Sequence, residues 1–203
     1  MRSLLLHLPL FDRTRHWLCV LGVALAIGGE SVAQPLPAAA PRSERQVKAA
    51  YIFNFGRFIV WPEPTRRGAS SIFTIGVLGD DRLAEDLVAL LHDRTIRDQP
   101  VDIRRVRAPE DLDDLRILVV GELDSLRWTP SLAALREKPV LIVGSTPEFA
   151  RSIGHVGFYL DDQRVRFAIN PSALRRSNLQ ASSRLLSLAL IVDTDPVAAS
   201  PMP

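Results

Sequence analysis

The sequence predicts an α/β domain: a largely parallel sheet with helices on both faces and a C-terminal β-hairpin at the sheet edge. Three observations carry this expectation. Residues 72–78, 117–120 and 140–143 are continuous apolar runs, the pattern of strands buried on both faces, and helical patterns lie between them. Each run is followed by a glycine and a polar residue, Gly79-Asp80, Gly121-Glu122 and Gly144-Ser145. The chain has 203 residues, 47% of them hydrophobic, enough for one core and too few for two comfortable ones.

The elements follow in order. Ser43 is an N-cap candidate, and 44–61 reads as a helix with Val47, Tyr51, Phe55, Phe58 and Ile59 on one face. Ile52 and Phe53 make its other faces apolar too, so it must pack on more than one side. Pro62 stops it. Strand 72–78 leads to an amphipathic helix, 82–92, with Leu83, Leu87, Leu90 and Leu91 on one face. Residues 101–106 alternate as a half-buried strand, and 108–114 form a short acidic helix. Strand 117–120, a short helix at 131–136, strand 140–143 and a helical turn at 147–151 come next. Residues 156–160 and 165–169 are a hairpin joined through Asp161-Asp162-Gln163-Arg164. Pro171 after Asn170 starts a helix over 171–176, and Ser182 or Ser183 caps a last helix running to Val192. No internal repeat is present.

The ends carry a different message. Arg2, Arg13 and Arg15 precede an apolar run over 17–27, and Ser31-Val32-Ala33 then offers small residues at −3 and −1. That run is shorter than the about 20 residues a membrane-spanning helix needs. Residues 1–33 are therefore expected to be a cleaved secretory signal, 34–42 a Pro/Ala linker, 43–192 the folded domain and 193–203 a disordered tail. The lone Cys19 falls within the signal, so the exported product is cysteine-free and has neither a disulfide nor a cysteine-ligated metal. Basic and acidic residues number 25 and 23, a near-balance that argues against nucleic acid as a partner.

The residues offer little catalytic chemistry. There is no P-loop, no Gly-x-Ser-x-Gly elbow and no dinucleotide fingerprint. Asp80 and Asp81 sit where ligands bind in open parallel sheets, but that is also where a carboxylate caps the next helix. His92 sits at a helix end, and His155 precedes the hairpin with a site-lining role left open. Their spacing gives no zinc motif, so neither a metal nor a cofactor is expected. Two segments stand out. Asn54–Pro62 gathers Phe55, Phe58 and Trp61 around Arg57, the residue types of binding hot spots. Arg164–Asn170 alternates so that Arg164, Arg166, Ala168 and Asn170 share a face suited to an anionic ligand or a partner's carboxylates. The competing readings are core aromatics with a solvated arginine, and a charged edge strand that blocks aggregation.

These segments also resemble the YfiR/HmsC family of periplasmic regulators. The resemblance rests on Val47–Phe55 with Arg57-Phe58 and Trp61-Pro62, then Ile75–Asp81, Val140–Val143, and Gly157-Phe158 with Asp161 and Asp162. It continues through Val165-Arg166-Phe167 with Ile169-Asn170, and Ser182–Leu186 with Leu188-Ala189. It implies a periplasmic, non-enzymatic α/β protein that represses the periplasmic sensor domain of an inner-membrane diguanylate cyclase, so controlling cyclic-di-GMP and biofilm. It implies a second partner, a peptidoglycan-associated outer-membrane lipoprotein that sequesters the regulator, and it leaves a homodimer open. The family's redox cysteines are missing here. The candidate surface is Phe55, Arg57, Phe58 and Trp61 with Arg166 and Asn170. The rival reading is a module that binds a small ligand for a sensor kinase or transporter, which a ligand-sized cavity beside Arg57 and Arg166 would favour.

Overall fold

The computed structural model describes residues 43–62, 72–121 and 128–193. The expected export signal, the linker and all but the first residue of the expected tail lie outside them. Chain order is α1 (Glu44–Phe58), β1 (Ile59–Val60), β2 (Phe73–Leu78), α2 (Asp81–Leu91), β3 (Thr95–Ile96) and β4 (Gln99–Val106). A 3-10 turn (Pro109–Leu112), β5 (Ile117–Val120), α3 (Thr129–Leu135), β6 (Leu141–Gly144) and α4 (Pro147–Ser152) follow. The chain continues through β7 (Val156–Asp161), β8 (Arg164–Ile169), α5 (Pro171–Arg176), β9 (Gln180–Ala181), α6 (Ser183–Leu186) and β10 (Leu190–Ile191).

Among the described residues the main sheet has eight strands in the order β10-β8-β7-β6-β5-β2-β4-β3. It is mixed but largely parallel: β3–β4 and β7–β8 are antiparallel, and the other pairs are parallel. Alternate residues of the central strands feed two cores. Ile75, Val77, Ile117, Val119, Leu141 and Val143 meet Ile52 and Phe55 of α1 and Leu83 and Leu87 of α2. Leu118, Val120 and Ile142 point the other way, toward Leu112, Trp128, Leu132, Leu135 and Phe149. Helices therefore cover both faces, as a parallel sheet requires.

Local chemistry explains most element ends. Ser43 caps α1 with a reciprocal capping box: its hydroxyl accepts from Gln46 N–H and the Gln46 side chain accepts from Ser43 N–H. Asp80 caps α2, accepting from Leu83 N–H at 2.9 Å, so its carboxylate is engaged in folding. The β7–β8 turn puts Asp162 and Gln163 at φ 46 and 59, the left-handed pair that matches the twist of a two-residue hairpin. Gly157 is fixed by space, because a Cβ there would sit 1.7 Å from the Thr146 carbonyl oxygen.

Three expectations need correcting. Helix α1 stops at Phe58, not Trp61, because Ile59-Val60 leaves it to form an antiparallel ribbon with β9. β-Branched residues ahead of Trp-Pro favour extended backbone. The last helix ends at Leu186 rather than Val192. Leu190 and Ile191 instead pair in parallel with Ala168 and Ile169. That pairing makes β10 the sheet edge and moves the β7–β8 hairpin one strand inward.

His155 holds three elements together. Its Nδ1 accepts from Ile142 N–H at 2.9 Å, and its Nε2 lies 2.7 Å from Ser177 Oγ. Ser177 Oγ–H in turn donates to the Arg136 carbonyl, so the neutral ring carries its proton on Nε2 and gives it to Ser177. Burial away from water, with repulsion from Arg136 and Arg176, pushes this imidazole down to about 3. The unfolded imidazole binds a proton near 6.5 while the folded one does not. Stability is thus fully present above that value and is lost as pH falls from there toward the folded value, at ~1.4 kcal/mol per pH unit. Urea denaturation should show stability falling from about pH 7 to pH 5 and approaching this slope at the lower end, and His155→Gln should flatten it.

Candidate functional site

The N-terminal helix is set by an aromatic cluster. Phe55 is fully buried, with ring centroids 5.2 Å from Phe167, 5.9 Å from Phe158 and 6.3 Å from Tyr51. Tyr51, one turn earlier, reaches Phe167 at 5.3 Å and Phe158 at 6.1 Å. The four rings clamp α1 onto the β7–β8 hairpin. Gly56 lets the helix approach closely on another side, since a Cβ there would lie 2.8 Å from Ile96 Cδ1.

With that face committed, α1 turns a different set of residues outward. The Arg57 guanidinium lies 5.6 Å from the Phe53 ring and 5.8 Å from the Phe58 ring. The Arg94 guanidinium lies 5.6 Å from the Phe53 ring, and that of Arg184 5.7 Å from the Phe58 ring. The result is an alternating row, Arg94, Phe53, Arg57, Phe58, Arg184. Its arginines are exposed and its aromatics half-buried. None of the three guanidiniums pairs with a carboxylate among the described residues. Arg97 lies nearby and donates to the Ile59 carbonyl at 3.4 Å. Unpaired guanidiniums over aromatic faces can recognise carboxylates while giving a partner apolar surface to bury.

The six residues singled out in the sequence do not form one surface. Arg57 and Phe58 belong to the row. Phe55 is core. Trp61 is 7% exposed, not on the helix but just past β1, with its ring edge-on to Phe73 at 5.4 Å. Val165 and Phe167 point into the core under α1, so strand alternation sends Arg166 to the opposite face of the sheet. There it faces Asp161 at 3.7 Å. Asn170 is fully buried: its amide donates to the Ala150 carbonyl and accepts from Ala173 N–H, capping α5. Ala168, on the same strand face, is covered by Ala150 and Val192. The polar stripe read from alternation is therefore open only at Arg164 and Arg166.

The sequence missed Phe53, Arg94 and Arg184 as parts of the row. Phe53 had one signal, an aromatic on a helix face away from the main stripe. Arg94 and Arg184 come from distant segments and had none. The described residues also form a cleft of about 340 Å³ lined by Val60, Trp61, Pro62, Arg175, Asn178, Leu179 and Gln180. Neither Arg57 nor Arg166 lines it. Among the described residues no three His, Cys, Asp or Glu side chains converge as metal ligands, and no helix is long and apolar enough to cross a membrane.

A family model described as YfiR/HmsC-like (DUF4154) matches residues 45–190, which take in every element from α1 to the start of β10. No curated protein matches the sequence.

Burial separates the two phenylalanines of α1. Phe55→Ala should cost ~3–5 kcal/mol by emptying the centre of the aromatic cluster. Phe58→Ala should cost less than about 2 kcal/mol, because its ring is already half in water. Urea denaturation of both variants measures the difference.

Proposed function

The chain belongs to the YfiR/HmsC-like family, whose members are generally regulatory rather than catalytic, and on that premise we propose that it is a non-catalytic periplasmic regulator. Its target in this reading is the periplasmic sensor domain of an inner-membrane diguanylate cyclase, which it holds inactive and so limits cyclic-di-GMP and biofilm formation. The observation that carries the reading at the level of the molecule is the row Arg94, Phe53, Arg57, Phe58, Arg184. It offers arginine and aromatic anchors, the residue types that dominate binding energy in protein interfaces. Phe53, Arg57 and Phe58 are held by α1 on a packed core, and Arg94 and Arg184 reach the row from other segments.

Regulation in this reading is a competition between two binding equilibria. A peptidoglycan-associated outer-membrane lipoprotein that took the same face would empty the cyclase of its repressor, and its coupling would equal its preference for that face. Because the anchors are charged, the complex should form faster and hold better at low ionic strength.

The test uses the tagged full chain expressed in its own host, with partners recovered from detergent-solubilised membranes. The wild type is expected to recover a membrane diguanylate cyclase. Arg57→Glu combined with Arg184→Glu should lower recovery by roughly tenfold or more, as reversing two hot-spot charges implies. Recovery of no membrane sensor by the wild type would overturn the proposal. Equal recovery by the double variant would move the interface elsewhere.

A further inference from the structure

The row Arg94, Phe53, Arg57, Phe58, Arg184 also constrains the chemistry of what it binds. We infer that its ligand is an acidic stretch of a partner polypeptide in which carboxylates alternate with apolar side chains. This rests on the regulatory reading only in taking the row as the partner-binding face. Charge is the first observation. Arg57, Arg94 and Arg184 are exposed, and none lies within ion-pair distance of a carboxylate among the described residues. Arginines elsewhere on the domain do find such partners: Arg45 meets Asp86, Arg105 meets Asp81, Arg151 meets Glu148 and Arg166 meets Asp161. Each guanidinium of the row keeps the forked N–H donors that a carboxylate fits.

Spacing is the second observation. Each guanidinium lies 5.6–5.8 Å from a ring, and one ring separates it from the next guanidinium. Positive and apolar groups therefore alternate, and a segment that matches them must alternate negative and apolar groups. At about 100° per residue, Arg57 lies about 40° round α1 from Phe53, and Phe58 about 140°. The row thus crosses the end of the helix, and its outer members come from the loop before β3 and from α6. One chain segment laid over the helix end reaches all three guanidiniums.

The third observation removes an obstacle. The last carbonyls of a helix repel anions. Two of the carbonyls here are occupied: that of Phe58 accepts from Ser182 N–H at 3.0 Å, and that of Ile59 from the Arg97 guanidinium at 3.4 Å. Arg97 is itself exposed and adds a fourth cation beside the row. A lipid surface fits less well. Phe53 and Phe58 are half-buried, so neither ring can be driven into a bilayer, whereas both can lie under a side chain set on them.

The experiment measures, by fluorescence polarisation, binding of the full chain to a labelled random copolymer of glutamate and tyrosine. Polyglutamate of the same length supplies charge without rings, and phosphatidylglycerol vesicles supply phosphate on a lipid surface. The copolymer should bind at least roughly fivefold tighter than polyglutamate, as added ring contacts imply. Its binding should weaken as salt rises from about 0.05 M to about 0.3 M. Arg57→Gln combined with Arg184→Gln should weaken it by roughly tenfold or more, with thermal unfolding like the wild type. Should that variant unfold early, Arg94→Gln alone should weaken it by roughly threefold or more. Arg82→Gln, exposed on α2, should leave it unchanged. No binding of the copolymer, equal binding of the two polymers, vesicles bound as tightly as the copolymer, or undiminished binding by the row variants would each overturn the inference. Copolymer binding without recovery of any membrane sensor would uphold the chemistry of the row and sink the cyclase reading. Recovery of the cyclase without copolymer binding would do the reverse.

Discussion

The four-ring contact between α1 and the β7–β8 hairpin fixes the N-terminal helix on one face of the sheet. Tyr51 and Phe55 sit one helical turn apart, so both face the same way, and Phe158 and Phe167 are directly opposed across the hairpin. Each set would be too small to fix an orientation alone. Together they set both the rotation of α1 about its axis and its height above the sheet. Phe53, Arg57 and Phe58 have no freedom to face elsewhere once those rings are packed. The outward row is a consequence of the inward cluster.

The sheet was legible because its strands are buried on both faces and therefore unbroken in apolar character. The caps Ser43 and Asp80 were legible because their side chains act within three residues. What escaped was decided at a distance. Two-residue strands carry no periodicity, so β1, β9 and β10 left no pattern. Leu185–Val192 is rich in leucine and reads as helix, yet Leu190 and Ile191 find hydrogen-bond partners on β8, and tertiary pairing overrides local preference. Asn170 misled for a related reason. Alternation correctly put it on the strand face of Arg164 and Arg166, but nothing in the spacing says that α4 covers that face before Asn170 is reached.

The row and the cleft differ in chemistry. The row is arginine-rich and open to water, so each exposed cation–π contact is worth only about 0.5–1 kcal/mol. The cleft is lined by one guanidinium, that of Arg175, and by mostly apolar neighbours. His155 belongs to neither, although its position beside the hairpin invited a ligand role. Its two ring nitrogens are both occupied by the fold.

The β1–β9 ribbon has a consequence for when the protein becomes competent. It joins the end of the first helix to a segment near the end of the domain, and Ser182 N–H donates to the Phe58 carbonyl beside it. Contacts between segments so far apart in the chain close late, because the loop between them must first lose its freedom. Arg184 joins the row only through that closure. A chain with its first helix and central strands formed but without the ribbon would lack Arg184 in the row. A row that draws on both ends of the domain is complete only in the fully folded chain.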